Sequence, residues 1–595
     1  MSNEQIVVFI VMGLSLILFV WGRWRYDVVA LLALMVLVLT GIVESSAAFA
    51  GFGHPAVITV AAVLVISRGL RNAGVVDILA RGIAPFAKYE TVHIVALSCL
   101  VAVTSAFMNN VGALALLMPV ALESAQKHDR SPALVLMPLA FASILGGMMT
   151  MIGTPPNIII ATYRETMSPG GEPFGLFDFF PVGAAVAAVG IFFVATVGWR
   201  LIPRQRRGQS SPDKLFRIAE YVTEVEVPKE SDWIGRTLGD LEAMKEDEVV
   251  VAGLIRDKKR RLAPAPSTRI EADDIIILKA DPAELPEVVQ AAKLKIVSDF
   301  QAKEETLRSD DVGLIEAVVP PDSALVGRTP ISLRLRAEGR TNLIAMARQG
   351  RAVRERLRRV KFQAGDVLLL QGAADSLAET ATAVGLLPLA KRNLRIGKAR
   401  RPIIAISIFG IALLLSAFGV VPAAITLVCA VVIFALFDFV SVRMMYEAVD
   451  WSVIVLLAAM IPVGEALQTT GATELVSSVL LSYTQGLHVA VILGLVMVVT
   501  MTLSDVINNA ATAVVMAPIA VSLAERLDGN PDAFLMSVAV GASCAFLTPI
   551  GHQCNTLVLG PGGYRFGDYW RMGLPLEIII VCLGVPQIMY FWPPF

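Results

Sequence analysis

Ser105-Ala-Phe-Met-Asn-Asn-Val-Gly112 and Ser504-Asp-Val-Ile-Asn-Asn-Ala-Ala511 decide how this 595-residue chain is read. Each is a short polar interruption in apolar sequence. Each leads into an apolar run closed by a proline, Pro119 or Pro518. The serine, the asparagine pair and the proline all recur at an offset of 399 residues. Paired asparagines inside a membrane are costly unless they bind something. Their recurrence in both halves predicts one site at the interface of two repeats.

Composition supports a membrane setting. Mean hydropathy is +0.68, and 55% of residues are hydrophobic while 17% are charged. A soluble chain is about a quarter charged. The apolar excess lies in two blocks, about 1–200 and 400–595, with the charge concentrated between them. The reading is an all-α polytopic membrane protein with inverted repeats and two re-entrant helical hairpins. Between the repeats it carries an inserted cytoplasmic α+β tandem domain. Cys99, Cys429, Cys544, Cys554 and Cys582 all sit in apolar segments without a CxxC, so neither disulfides nor a metal cluster is expected. Glu4 stands where a signal peptide would be basic, so the first segment reads as a retained span.

Repeat 1 covers 1–203. Ile6–Val20, Val28–Val43 and Ala56–Ile66 are its first spans, and an amphipathic stretch after Gly74 suits the interface. Val92–Phe107 and Val111–Leu122 read as two legs too short to cross, a hairpin over about 92–125. Ala133–Ile152 is a span that breaks at Gly153-Thr-Pro-Pro-Asn157, where two prolines free backbone carbonyls. Phe177–Val197 closes the half. Repeat 2 covers 400–595 in the same order: Ile403–Leu415, Ala423–Phe439, Val453–Val463, interfacial Thr473–Tyr483 and a hairpin over about 489–525. Phe534–Leu547 follows, broken at Thr548-Pro549 through Asn555, and then Pro575–Tyr590. Five full crossings per half put the second half in the opposite orientation. Arg23, Arg25, Arg68, Arg71, Arg130 and Arg200 share one side with Arg443 and Arg565, the cytoplasmic side of an inner membrane.

The insert has its own repeat. Ile234-Gly-Arg-Thr237 matches Val326-Gly-Arg-Thr329, and Glu271 through Leu278 matches Gln363 through Leu370, both at an offset of 92. Strands are expected at Val249–Ile255, Ile275–Leu278 and Val367–Leu370. On these motifs the segments 215–295 and 308–388 each resemble the TrkA C-terminal regulatory domain. The GxGxxG fold that often precedes such domains is missing, so NAD binding is not expected. A small-molecule regulator and a purely bracing role both stay open. The basic run Arg351–Arg359 reads as a solvated face, not a nucleic-acid site.

Helix N-termini near Val111 and Ala510 would point at the centre and favour an anion, with Asn110 and Asn509 as donors. Hydroxyls of Ser105 and Ser504 and carbonyls at Gly153 and Thr548 suit a hard cation such as Na⁺. No Lys or Arg lies in these motifs. On the asparagine tips and the Gly153–Asn157 break, both halves resemble the divalent anion:sodium symporter family. Here Val111 and Ala510 stand where that family carries hydroxyls.

The resemblance implies sodium sites at Ser105, Asn110 and Gly153 and at Ser504, Asn509 and Thr548. From the residues themselves, Asn109 is a further candidate ligand, and Asp505 is either a sodium or proton ligand or a residue facing a water-filled cavity. It implies substrate contacts from Asn110, Asn509, Thr154 and Pro155, next to Val111 and Ala510. It also implies a homodimer, elevator-type alternating access, co-transported Na⁺ and a sulfate or dicarboxylate substrate. His552 either hydrogen-bonds substrate or braces a helix end. Asp505 is the proton or sodium carrier of the competing reading, a cation/proton antiporter. A channel is disfavoured because no carbonyl-rich filter sequence appears. An enzyme is not expected, since there is no nucleophile–base constellation.

Overall fold

The computed structural model describes residues 2–21, 24–75, 89–128, 130–167, 174–203, 206, 222–243, 250–256, 259–262, 264–265, 267–279, 289–296, 312–321, 323–330, 341–349, 351–353, 360–373, 377–389, 400–418, 420–472, 475 and 487–595. The interfacial stretch expected after Gly74, most of Thr473–Tyr483, Arg23 and the core of the basic run at 354–359 lie outside the described residues.

The first half runs α1 (Asn3–Trp21), α2 (Tyr26–Leu39), α3 (Pro55–Asn72), α4 (Glu90–Phe107), α5 (Asn110–Lys127), α6 (Ala133–Gly147), α7 (Pro155–Met167) and α8 (Phe180–Thr196). Apolar side chains face outward on α1 at Ile6, Ile10, Leu14 and Ile17, spaced as one helical stripe. A stripe this exposed suits lipid rather than water.

The insert holds two five-stranded antiparallel sheets. The first comprises β1 (Val222–Glu226), β2 (Val250–Arg256), β3 (Lys259–Leu262), β4 (Ile275–Lys279) and β5 (Lys295–Ile296), with helix α9 (Leu238–Ala243). The second comprises β6 (Val312–Val318), β7 (Asn342–Arg348), β8 (Arg351–Ala352), β9 (Val367–Ala373) and β10 (Leu387–Pro388), with helix α10 (Leu377–Ala383). Strand orders are β3-β2-β4-β1-β5 and β10-β6-β9-β7-β8, one the other read backwards. Each sheet is locked by a forked ion pair. Arg256 spans both oxygens of buried Asp274 at 2.8 and 2.7 Å, and Arg348 does the same to buried Asp366 at 2.7 and 2.8 Å. Planar two-point pairing of this kind is the geometry arginine is built for.

The second half runs α11 (Arg400–Ala417), α12 (Ala423–Leu436), α13 (Val442–Ala448), α14 (Trp451–Thr469), α15 (Val489–Ser504), α16 (Asn509–Arg526), α17 (Pro531–Ser543), α18 (Gln553–Leu559) and α19 (Trp570–Phe591). Among the described residues α4 and α19 are long and apolar enough to cross a membrane. The pair α13–α14, bent by 59° at its break, would make a third.

Four boundaries correct the sequence reading. The expected short leg Val92–Phe107 is an 18-residue helix, about 27 Å at helical rise. It opens two residues earlier, at Glu90, where an acid suits the positive helix end. Its partner leg also has 18 residues. It continues past Leu122 through a Glu123–Lys127 ion pair at 3.0 Å. The broken helices stop sooner than expected, α6 at Gly147 rather than Ile152 and α17 at Ser543 rather than Leu547.

The helices pack as two bodies drawn from both halves. In one, α2 lies on α14 and α3 on α12, with α11 beside α12. In the other, α4, α5, α6 and α8 pack with one another, α15, α16, α17 and α19 do likewise, and α8 meets α19. The bodies touch where α14 meets α16 and α3 meets α7. A forked pair, Arg164 to Asp532 at 2.8 Å for both bonds, ties α7 to α17. The pair Arg206–Asp568, buried at 2.9 Å, ties the start of the insert to the second half.

Candidate functional site

The two asparagines of each pair do different work. The first is a helix cap. Asn109 Oδ1 accepts from Val111 N at 3.0 Å, and Asn508 Oδ1 accepts from Ala510 N at 2.8 Å. Each satisfies an N–H left over at a helix start. In the first pair the second asparagine, Asn110, is free of that duty, whereas Asn509 Oδ1 also accepts from Ala510 N at 2.8 Å. Asn110 is buried, and its amide fits only because Gly147 has no Cβ, which would collide with it.

Asn110 sits in a closed polar ring. Ser105 Oγ lies 2.7 Å from its amide oxygen as placed and 3.2 Å from Ser143 Oγ; Ser143 Oγ donates to the Asn110 carbonyl at 2.8 Å. His552 Nε2 is 3.3 Å from the Asn110 amide nitrogen. The tautomer follows from the other ring nitrogen. His552 Nδ1 accepts from Cys554 N at 3.1 Å, so the ring proton is on Nε2. Nε2–H then donates to the Asn110 amide oxygen, which requires the amide turned over from its placed orientation. Turned over, the amide N–H₂ donates to Ser105, Ser105 to Ser143, and Ser143 to the Asn110 carbonyl. Both hydroxyl protons, the ring Nε2–H and one amide N–H then have acceptors, and the tip of the first half is joined to the break of the second.

The breaks are built alike. Asn157 Nδ2 donates to Met148 O at 3.3 Å and Thr150 O at 2.9 Å. Asn555 Nδ2 donates to Ala545 O at 2.8 Å and Thr548 O at 3.1 Å. Each asparagine thus holds carbonyls of its own unwound segment, which would otherwise be unpaired at depth. Matching Asn157 to Asn555 matches Gly153 to Gly551 and Thr154 to His552. Thr154 is buried and its Oγ1 has no partner among the described residues. Pro155 opens α7.

Ser105, Asn110 and Gly153 come together. Gly153 lies against the Gly147 backbone, and Gly147 lies against the Asn110 amide. In the second half Ser504 Oγ donates to Ala542 O at 2.7 Å, and Thr548 Oγ1 donates to Asp505 O at 2.8 Å. Gly551 packs on the Asp505 Cα and the Ser504 carbonyl. The Asn509 side chain turns back, with Oδ1 2.8 Å from Ala510 N, and does not join that cluster. Val111 is half-buried and Ala510 buried, each in the first turn after its tip.

Two participants are absent from the sequence reading. Ser143 closes the ring around Asn110. Glu577, buried on α19, accepts from Phe546 N at 3.3 Å in the second break. A lone acid in an apolar 22-residue helix is a signal that the sequence does carry.

A family model described as CitMHS, citrate transporter, matches residues 16–525 and 490–593. An uncharacterized transporter of Synechocystis sp. is 31% identical over 97% of this chain and 95% of its own length. The uncharacterized transporter YfbS of Escherichia coli is 28% identical over the full length of both chains. A Chlamydomonas reinhardtii protein named sodium/sulfate cotransporter 2 is 28% identical over 55% of this chain and 38% of its own.

Proposed function

The chain belongs to the citrate transporter family, and on that premise we propose that it is a secondary active transporter coupling a small divalent anion, sulfate or a dicarboxylate, to sodium. The observation that carries this is the Asn110–His552 contact. It brings a helix start of the first half against the break of the second, at a place without any Lys or Arg in residues 105–119, 148–163, 504–518 or 544–556. An anion there is held by helix N-termini, the amides of Asn110 and Asn509, Thr154 and His552, and co-bound cations supply the neutralising charge. Sodium would be bound by Ser105, Asn110 and Gly153 and by Ser504 and Thr548, with Asn509 joining the second site once its amide turns away from Ala510 N. The finer kinship is to the divalent anion:sodium symporters, within this broader anion-transporter membership.

Several features support the finer architecture. The link Met108–Asn109 between α4 and α5 is buried or half-buried inside the protein rather than standing at a membrane surface, which fits a re-entrant tip. The recurring caps and break asparagines fit inverted repeats. The two-body packing fits an elevator, in which the body carrying tips and breaks slides along the other. The tandem sheets, duplicated down to their Arg–Asp forks, are read as two TrkA C-terminal-like regulatory units on the cytoplasmic side of the inner membrane, in a homodimer.

The test is uptake of labelled sulfate and succinate into proteoliposomes with and without an inward sodium gradient. Asn110→Ala and Asn509→Ala should each lower sodium-driven uptake at least tenfold while melting like the parent protein. Parent-level uptake in either variant removes that residue from the site. A second reading, a cation/proton exchanger, draws on the buried Asp505, whose Oδ2 meets no donor but the Glu577 carboxyl among the described residues. It predicts ΔpH-driven sodium flux with no anion present.

A further inference from the structure

Asp505 ends the first leg of the second hairpin, and Glu577 lies two turns into α19. Consecutive peptide groups hold them. Phe546 N donates to Glu577 Oε1 at 3.3 Å, and Leu547 N donates to Asp505 Oδ1 at 3.0 Å. The two carboxyls lie within hydrogen-bonding reach of one another. Asp505 is 4% exposed and Glu577 8%. Apart from the Glu577 carboxyl, Asp505 Oδ2 meets no donor among the described residues. The ionisable groups acting on the pair are its own two members and the neighbouring Cys544 thiol, none of them positive. Two buried carboxyls this close do not both ionise unaided, and the place between them takes either a shared proton or a cation.

Comparison of the halves shows that the pair is not a packing requirement. The offset of 399 carries Asp505 to Ala106. For Glu577 the match comes from geometry. A Cβ on Gly183 would strike the Met148 carbonyl, and one on Gly573 would strike the Phe546 carbonyl, so α8 and α19 lean on their breaks in the same way. Four residues beyond those glycines stand Ala187 and Glu577. Ala106 and Ala187 are both buried. The first half therefore fills these two places with methyl groups, and the second half fills both with acids.

We propose that Asp505 and Glu577 form a carboxylate clamp for one sodium ion, present in the second half only. All-oxygen ligation suits a hard cation, and the two peptide N–H groups offset part of the second negative charge. That the bound ion is a coupling ion rests on the transport reading above; the clamp itself does not.

The full-length protein, purified and free of any anion substrate, is tested by ²²Na⁺ binding and by sodium-dependent thermal stabilisation. Asp505→Asn and Glu577→Gln should each raise the sodium midpoint tenfold or more. Asp505→Ala/Glu577→Ala, which installs the residues of the first half and leaves no orphan acid, should bind one sodium fewer per chain. On the unmodified protein, sodium but not potassium should protect both carboxyls from carbodiimide labelling, read by peptide mass spectrometry; that arm stands even if a variant fails to fold. Unchanged sodium midpoints with unprotected carboxyls overturn the clamp and leave symport intact. Protection by calcium in place of sodium, or labelling that follows pH alone and ignores sodium, also overturns it. Loss of sodium binding in the variants upholds the clamp, and an unmodified protein that binds sodium yet shows no sodium-driven anion uptake would remove the symport reading while leaving the clamp in place.

Discussion

Tyr564 shows how one side chain joins the halves. Its buried hydroxyl donates to Ala133 O at 2.5 Å and accepts from Met137 N at 2.9 Å. Those are the two groups that an uninterrupted helix pairs with each other. The hydroxyl thus stands inside the first turn of α6, one residue before Pro138, whose ring crowds the carbonyl four residues back. Tyr564→Phe should destabilise the protein by about 1–2 kcal/mol, because both backbone groups lose a buried partner and only partly re-pair. Thermal unfolding in detergent measures this; an unchanged melting point would mean that the helix turn closes by itself.

At the same scale, legibility divided sharply. The asparagine pairs were visible because a polar doublet in apolar sequence is rare. Which member caps and which faces the site was not, since capping depends on where the helix starts. His552 was visible as a polar residue in a break, but its contact with Asn110, 442 residues away, is tertiary. Its match to Thr154 becomes legible once Asn157 is paired with Asn555.

Among the elements, α18 matters beyond its seven residues. His552 caps its start, and its far end meets the insert. Gly365 (φ +83°), in the turn before β9, lies against the Thr556 carbonyl. A Cβ on Gly560 would collide with the Gly365 carbonyl and crowd Val367. The apolar core of the helices runs on into the second sheet through Val367 and Leu369. A rigid strut therefore joins the insert to the residue touching Asn110. Gly560→Val should part the sheet from α18, increase protease cleavage of the insert, and change transport at least severalfold while anion binding persists. Unchanged proteolysis and unchanged transport would mean that the contact is incidental. Element identity was largely legible from hydropathy; element ends were not. The sequence reading ran α6 on to Ile152 because Met148 through Ile152 are mostly apolar, whereas close packing on Ala102 and Asn110 stops the helix at Gly147.

For the molecule as a whole, the seam between the two helical bodies decides how transport proceeds. Its lining is mostly apolar, with Val57, Leu457 and Met460 on one side and Ile159 and Val514 on the other, around a cleft that also receives Glu465. The seam is crossed by a long contact, His54 Nε2 to Glu165 at 3.9 Å, which is an ion pair only when the imidazole is protonated, whereas the shorter forked pair Arg164–Asp532 lies within the body that carries the tips. Apolar surfaces without directional bonds slide at low cost, while forked ion pairs resist shear. On the elevator reading the fork keeps α7 and α17 together as part of one unit, and the seam is the surface along which that unit would move. Tyr163 and Gly464 face each other across it, with a Cβ on Gly464 3.8 Å from the tyrosine ring. In a background with the five native cysteines replaced, Tyr163→Cys/Gly464→Cys joined by a short bifunctional thiol reagent should abolish uptake. Sodium binding should be retained, and cleaving the linker should restore transport. Full-rate uptake by the cross-linked protein would mean that the bodies do not slide, and that access alternates by smaller movements of the hairpins alone.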